Sequence, residues 1–308
     1  MKPFISRIVS LGLVGILNAI LSRSSRLYHT FRTVTADEYH NPTDTELALI
    51  ETLLREMGIL CHDFLPDVSE FEEFIRLNGF PPNYHGGTKS EVYREKLLEH
   101  FVAWKFLSLD KSCYTPYVDI AAGGSPWALF LRNRGIDACA IDISISPEFI
   151  SESCYLRQDA TKTDFGNGSV GGASLQCAYE MFSENQDVTF LQELGRILKP
   201  GGRAVISPLY THTRACYYQT QEYYGKVYGD YDAKRYIRRD CWGVPLSRKY
   251  CPNTLKSRVW DSALNAGLQP SLHVLRNKSE MGNGIYLHFI LVIDKPTMLP
   301  RSMEKHKL

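Results

Sequence analysis

Tyr117-Val118-Asp119-Ile120-Ala121-Ala122-Gly123-Gly124-Ser125-Pro126 is the stretch whose reading settles the fold class. Its first four residues are a short strand of the buried type, the next six are small, and 127–134 reads as a helix with Gly135 beyond its end. Strand, small-residue turn and helix together bring backbone N–H groups close to a bound ligand. Residues 138–142 read as a second strand, closing on Asp142, 23 residues after Asp119. An acid at that point grips the two hydroxyls of a ribose. Dinucleotide sites want G-x-G-x-x-G, and Gly123-Gly124 has no third glycine at that spacing, so nicotinamide and flavin are disfavoured.

Downstream the alternation continues. Arg157-Gln158-Asp159-Ala160 ends a third strand, with Asp159 able to accept from an exocyclic amine. Residues 165–170 read as a turn, 172–178 as a small-residue strand, 188–198 as a helix, Lys199-Pro200-Gly201-Gly202 as a sharp stop and 203–207 as a strand. Two last strands are expected at 272–275 and 286–293. This spacing predicts an α/β fold, a parallel sheet with helices on both faces.

Taken in order, these motifs resemble the class I S-adenosylmethionine-dependent methyltransferases. Asp119 to Ser125 is similar to their first motif, D-x-G-x-G-x-G, with Gly123 as the middle glycine and Ala121 and Ser125 replacing the outer two. Asp142 matches the acid that ends their second strand, and Asp159-Ala160 their adenine-side pair. Glu193-Leu194-Gly195-Arg196-Ile197-Leu198-Lys199-Pro200-Gly201-Gly202 matches E-L-x-R-x-L-K-P-G-G before strand five. The resemblance is close over 116–207 and topological over 258–294. It implies a Rossmann-like, seven-stranded, mostly parallel sheet with helices on both faces, and S-adenosyl-L-methionine as cofactor. By the same resemblance Gly123, with the neighbouring backbone of Ala121, Gly124 and Ser125, faces the methionine portion. Asp142 takes the ribose and Asp159 with Ala160 the adenine, while Asp119 holds the turn or reaches the cofactor amine through water. The plainer roles for these acids are a strand-end turn former at Asp142, a helix cap at Asp159 and a turn-stabilising acid at Asp119.

Glu180 follows the fourth strand at the sheet's carboxyl edge and is a candidate base or substrate contact, or else a cap for the helix ahead. His212, just past strand five, is placed for a general base, with a surface histidine as the plain alternative. Residues 208–258 break the alternation and are read as an insertion. They hold nine of the 18 tyrosines and ten Lys/Arg against four acids. Such an insertion suits an anionic, sugar or lipid-linked acceptor, with rings for stacking and Arg forks for phosphate, and O-methylation is the expected chemistry. Its bland counterpart is a solvated helical hairpin. A catalytically silent, methyltransferase-like binding module is the alternative function. A nucleic-acid substrate is disfavoured by the net charge of +1 and by the missing N/D-P-P-Y/F motif.

The first 32 residues differ in kind. Lys2, Arg7, Arg23, Arg26 and Arg32 are the only charges before Asp37, and 15 uncharged residues separate Arg7 from Arg23. That is short of the ~20 apolar residues a bilayer span needs. A basic amphipathic helix on the inner membrane face fits, against a secretory signal or a helix packed on the core. Residues 33–115 read as a helical cap region, with helices at 45–57, 69–77 (opened by a Ser69/Glu72 capping box) and 90–109. The Tyr84-His85-Gly86-Gly87 loop could approach a ligand but is read as structural. The sheet domain spans 116–294 and a loose tail 295–308. Eight cysteines without a C-x-x-C pair or a ligand-like cluster predict reduced thiols, a cytoplasmic setting and no metal site.

Overall fold

The structure, a computed structural model, describes residues 34–297 apart from 91 and 228. The membrane anchor expected at 1–32 and the tail beyond 297 lie outside the described residues.

Eleven strands are present among the described residues: β1 (Cys61–Phe64), β2 (Tyr117–Ile120), β3 (Ala138–Asp142), β4 (Tyr155–Arg157), β5 (Val170–Gln176), β6 (Leu198–Ser207), β7 (Cys216–Thr220), β8 (Lys234–Arg238), β9 (Ser247–Lys249), β10 (Gln269–Leu275) and β11 (Phe289–Asp294). Eight of them form one sheet in the order β1-β10-β11-β6-β5-β2-β3-β4. All neighbours are parallel except β11, which runs against both β10 and β6. The chain reverses its direction of travel across the sheet between β2 and β5, where Asp119 sits opposite Ala140 on one side and Ser174 on the other. Open parallel sheets leave a crevice outside the carboxyl ends of their strands at such a reversal. β5 is pressed so closely by the chain entering β2 that a Cβ on Gly171 would lie 2.3 Å from the Thr115 carbonyl. That accounts for the small residues there.

The helices follow from capping and patterning. α1 (Asp44–Glu56) opens on a reciprocal capping box in which Thr43 and Glu46 satisfy each other's backbone N–H. α2 (Val68–Asn78) is capped by Asp67, whose carboxylate accepts from Ser69 and Glu70, and not by the Ser69/Glu72 pair expected. An acid two residues earlier reaches the orphan N–H groups of the first turn with full charge. α3 (Tyr93–Phe106) is buried on nearly every side. α4 (Trp127–Asn133) and α5 (Gln186–Ile197) match their expected positions. Pro252–Thr254, the π-helical Leu255–Trp260 and Asp261–Asn265 form one run, α6, and α7 is Lys278–Met281.

The two apolar cores lie on opposite faces of the sheet. Leu47, Ile50 and Leu54 of α1 join Phe190 and Leu194 of α5 and Val259 of α6 on one. Phe71 and Phe74 of α2, Leu98 and Phe101 of α3 and Trp127 of α4 fill the other. The region read as helical also supplies β1, an eighth strand that adds to the seven expected by pairing parallel with β10. Its four residues have no hydrophobic alternation to announce it. The insertion is not a helical hairpin but a second sheet, β8-β7-β9, whose β-branched and aromatic residues suit a pleated surface. The segment at Glu38 bridges onto it beside Ile237. Among the described residues no helix is long and apolar enough to cross a membrane.

Candidate active site

The first loop is held open from behind. Gly123 has φ +55°, and so has Ala121, which has to take the left-handed conformation without being glycine. Asp142, at the tip of β3, accepts the Gly123 N–H at 2.8 Å and the Ser144 N–H at 2.7 Å. Its carboxylate therefore fixes the turn and keeps further lone pairs for a ligand. Ser125 accepts from the Trp127 N–H and starts α4.

A cavity of about 480 Å³ opens in front of this loop, at the β2/β5 reversal, within the ~300–1,000 Å³ of small-molecule sites. Of the residues expected to hold a cofactor, Asp119, Ala121, Gly123, Gly124 and Ser125 line it. Asp142 stands just behind Gly123. Asp159 lies outside the lining, exposed, with its carboxylate accepting from the Thr161 N–H and hydroxyl, and Ala160 is buried in the core. Asp119 is buried and its Oδ2 has no partner. Burial pushes its carboxyl up to about 8, against the Ser174 hydroxyl. Gln176 likewise has an unpartnered Oε1.

The other side of the cavity comes from residues the sequence reading passed over. Pro81, Asn83, Tyr84 and His85 cover it, so the loop read as structural is part of the site. His85 has φ +43° and is held down to about 4 by burial. His100 bonds the Tyr84 hydroxyl at 2.7 Å, stacks on Trp127, and is kept neutral by burial. Lys96 of α3, partly buried, forms an ion pair at 2.8 Å with the buried Glu99. Burial, with Glu180's charge adding, raises Glu99 to about 7 against the pull of Lys96. Burial and then Glu99 raise Glu95 to about 8, while its Oε2 accepts the N–H groups of Tyr286 and Leu287. A signal was present: Glu95, Glu99 and His100 sit among apolar residues on a helix with no polar face to turn outward.

Cys177 ends this wall, at φ +50°, with its thiol pushed up to about 12 by burial. It donates to Glu180 Oε1 at 3.5 Å, and Glu180 Oε2 is buried without a partner. Glu180 thus stands behind the cavity wall. His212 is not brought to the cavity. It sits half-buried among the rings of Tyr39 and Tyr236, its imidazole lowered by burial.

The insertion's positive charge is largely spent internally. Arg248 and Arg258 clamp the buried Asp187 at 3.0 and 2.6 Å, and Arg248 also holds Asp230 at 2.9 Å. Arg238 pairs with Asp240, Arg239 with Glu38, Lys234 with Asp37 and Lys256 with Asp261. Lys249 is buried against the Tyr210 ring, 3.5 Å from its centroid. Among the described residues no cluster of three His, Cys, Asp or Glu side chains could hold a metal ion, and all eight cysteines are free.

Residues 118–206 match the family described as "Methyltransferase domain". Among solved structures, the chain is similar to a 1,6-didemethyltoxoflavin-N1-methyltransferase of Burkholderia thailandensis, bound to 1,6-didemethyltoxoflavin and S-adenosylhomocysteine. That likeness has 13% identity over 85% of this chain and 94% of the other, with a TM-score of 0.44. A sugar N-methyltransferase of a Streptoalloteichus species gives 13% identity, 69% and 91% coverage and 0.44. A methyltransferase in complex with the Haloferax volcanii Trm112 activator gives 15%, 68%, 96% and 0.38. No curated protein matches the sequence.

Proposed function

Because this chain carries the methyltransferase domain, in the strand order just described, and so belongs to the class I S-adenosylmethionine-dependent methyltransferases, we propose that its acceptor is a neutral small molecule. We further propose that the methyl group goes to a hydroxyl oxygen beside Glu99 and Cys177. The observation that carries this is one cavity whose lining includes both the Gly123 loop and Lys96, Glu99 and Cys177.

The cofactor fits the residues present. Asp119 Oδ2 and Gln176 Oε1 are buried acceptors without partners, suited to the ammonium of a methionine portion. Gly123 and Gly124 allow close backbone approach, and Asp142 borders them with spare lone pairs for a ribose. Asp159 and Ala160 follow β4, where Arg157 stands opposite Asp142 in the strand register, and are proposed for the adenine. S-adenosylmethionine, when bound, supplies a methyl group activated by a positively charged sulfur.

The chain's own work is alignment, exclusion of water and proton handling. Alignment of reacting groups contributes ~7–11 kcal/mol in favourable cases. Pro81, Asn83, Tyr84 and His85 roof the cavity, and His100, stacked on Trp127, lines it too. Glu99, ionised above about 7, is the group that takes the acceptor's proton. Lys96 stays charged beside it, and Cys177 stays a thiol. Glu180 acts through Cys177, and His212 is given no part.

An anionic acceptor, expected from the insertion, loses its support because the cations counted there are mostly paired. A sugar remains within the proposal as a neutral polyol. Contact of residues 1–32 with a membrane surface stays a proposal, read by vesicle co-sedimentation with and without that segment.

The test is calorimetry with S-adenosylhomocysteine, followed by a screen of neutral alcohols and phenols for S-adenosylmethionine consumption. Glu99→Gln is expected to lower kcat by about 10²–10⁴, to leave S-adenosylhomocysteine affinity intact and to abolish the acid limb of the pH profile near about 7. Absence of heat from the folded protein would favour the silent binding module. Transfer only to anionic acceptors would sink the neutral class.

A further inference from the structure

A second cavity, of about 210 Å³, lies on the same carboxyl edge, past the end of β6 and before the start of β11. Tyr39, Leu47, Leu209, Tyr210, Tyr286 and Phe289 give it an aromatic and aliphatic lining. One cation, Lys278, reaches it and is committed. His288, its imidazole lowered by burial, is a neutral ring whose Nδ1 has no partner. Lys278 Nζ lies 2.8 Å from Asp44, and His288 Nε2 lies 3.0 Å from Glu51, which Arg276 also holds.

The wall between the two cavities is a pair of rings. Tyr210 and Tyr286 stack with centroids 6.0 Å apart and planes 21° from parallel. Their hydroxyls lie 3.4 and 3.9 Å from Cys177 Sγ, and the Tyr286 hydroxyl lies 3.5 Å from Glu99 Oε1. Cys177 and Glu99 belong to the lining of the larger cavity, so the two phenols, which line the smaller one, touch residues that line the larger. Hydroxyl contacts of this length are weak. Tyr210 is held on its face by the buried Lys249, 3.5 Å from the ring centroid, while Lys96 lies 5.7 Å from the Tyr286 ring, so Tyr286 is the ring that turns aside.

We propose that the second chamber receives the part of the acceptor remote from the methylated hydroxyl, that this part is a neutral six-membered ring, and that Tyr210 and Tyr286 form the partition it passes. The proposal rests on the methyltransferase reading above. An apolar cavity of ~150 Å³ holds benzene, so about 210 Å³ takes such a ring with a substituent. Tyrosine faces stack on it. With His288 Nε2 on Glu51, its neutral ring offers Nδ1 as an acceptor, which suits a hydroxyl donor and leaves an anionic ring buried without a cation of its own.

Phenol is the probe, a ring bearing one hydroxyl. Crystals grown with S-adenosylhomocysteine and soaked in phenol are expected to show the ring between Leu47 and Tyr286, its hydroxyl toward Cys177. Benzoate, the same ring with a charge, is expected to be refused. Leu47→Phe fills the chamber and is expected to weaken phenol binding at least about tenfold without changing S-adenosylhomocysteine affinity. Ile285→Trp does the same from the rim should the first variant not fold. Phenol absent from the chamber, benzoate bound equally well, or wild-type phenol affinity in a folded variant overturns the proposal while cofactor heat persists. Loss of cofactor heat in the wild-type protein strikes the methyltransferase reading instead.

Discussion

At residue scale the first loop carries a strained alanine. Holding Ala121 at φ +55° costs roughly 1–2 kcal/mol, and the looser unfolded chain of a glycine there returns about 0.4–1 kcal/mol. Ala121→Gly is therefore expected to stabilise the protein by up to about 1 kcal/mol in urea unfolding. Asp119 gives a second prediction. Its carboxyl, raised to about 8, is protonated at neutral pH, and an arriving ammonium favours the ionised form. S-adenosylhomocysteine binding at pH 7 is expected to release a proton, seen as a dependence of the measured heat on buffer ionisation, and Asp119→Asn is expected to remove it. The first-loop residues were legible because their types are dictated by close backbone approach. His85 was not, since a histidine in a glycine-rich loop looks the same in sequence whether it faces solvent or a cavity, whereas Glu99 carried its mark in a helix without a polar face.

At the scale of elements, the segment after β5 is bolted to the insertion through Asp187. Arg248, Arg258 and the Tyr250 hydroxyl all bond its buried carboxylate, and both arginines also bond the Glu184 carbonyl. Asp187→Asn removes the carboxylate that Arg248 and Arg258 share, leaving the buried Arg248 with Asp230 alone, and is expected to cost up to about 3–5 kcal/mol, a fall in Tm at unchanged pH. Strands β2, β3, β5 and β6 and helices α4 and α5 could be read from sequence because strand-turn-helix punctuation is local. The insertion's sheet could not. Its pairing of β7 with both β8 and β9 is decided by tertiary contacts, and a surplus of Lys and Arg carries no mark of which acids will neutralise it.

Over the whole molecule, buried titratable groups set the pH at which the fold is most secure. The imidazoles of His85, His100, His212, His273 and His288 are held below their usual value by burial, so the unfolded chain binds more protons on these five as pH falls below about 6.5. Glu95, Glu99 and Asp119 are held above theirs by burial, so from about pH 4.5 up to about 8 the folded chain holds more protons on these three. Below about 6.5 the five imidazoles outweigh the three carboxyls and stability rises with pH, and above it the carboxyls act alone and stability falls. Thermal unfolding across pH is expected to peak near about 6.5, with Glu99→Gln flattening the alkaline slope. One last consequence belongs to β1. Cys61 meets Leu272, a neighbour 211 positions away, so this border of the sheet has to wait during synthesis until β10 has left the ribosome. Such distant closures fold slowly and leave sticky surface bare meanwhile. Yield in cells should then hinge on chaperone supply and growth temperature more than on the finished protein's equilibrium stability.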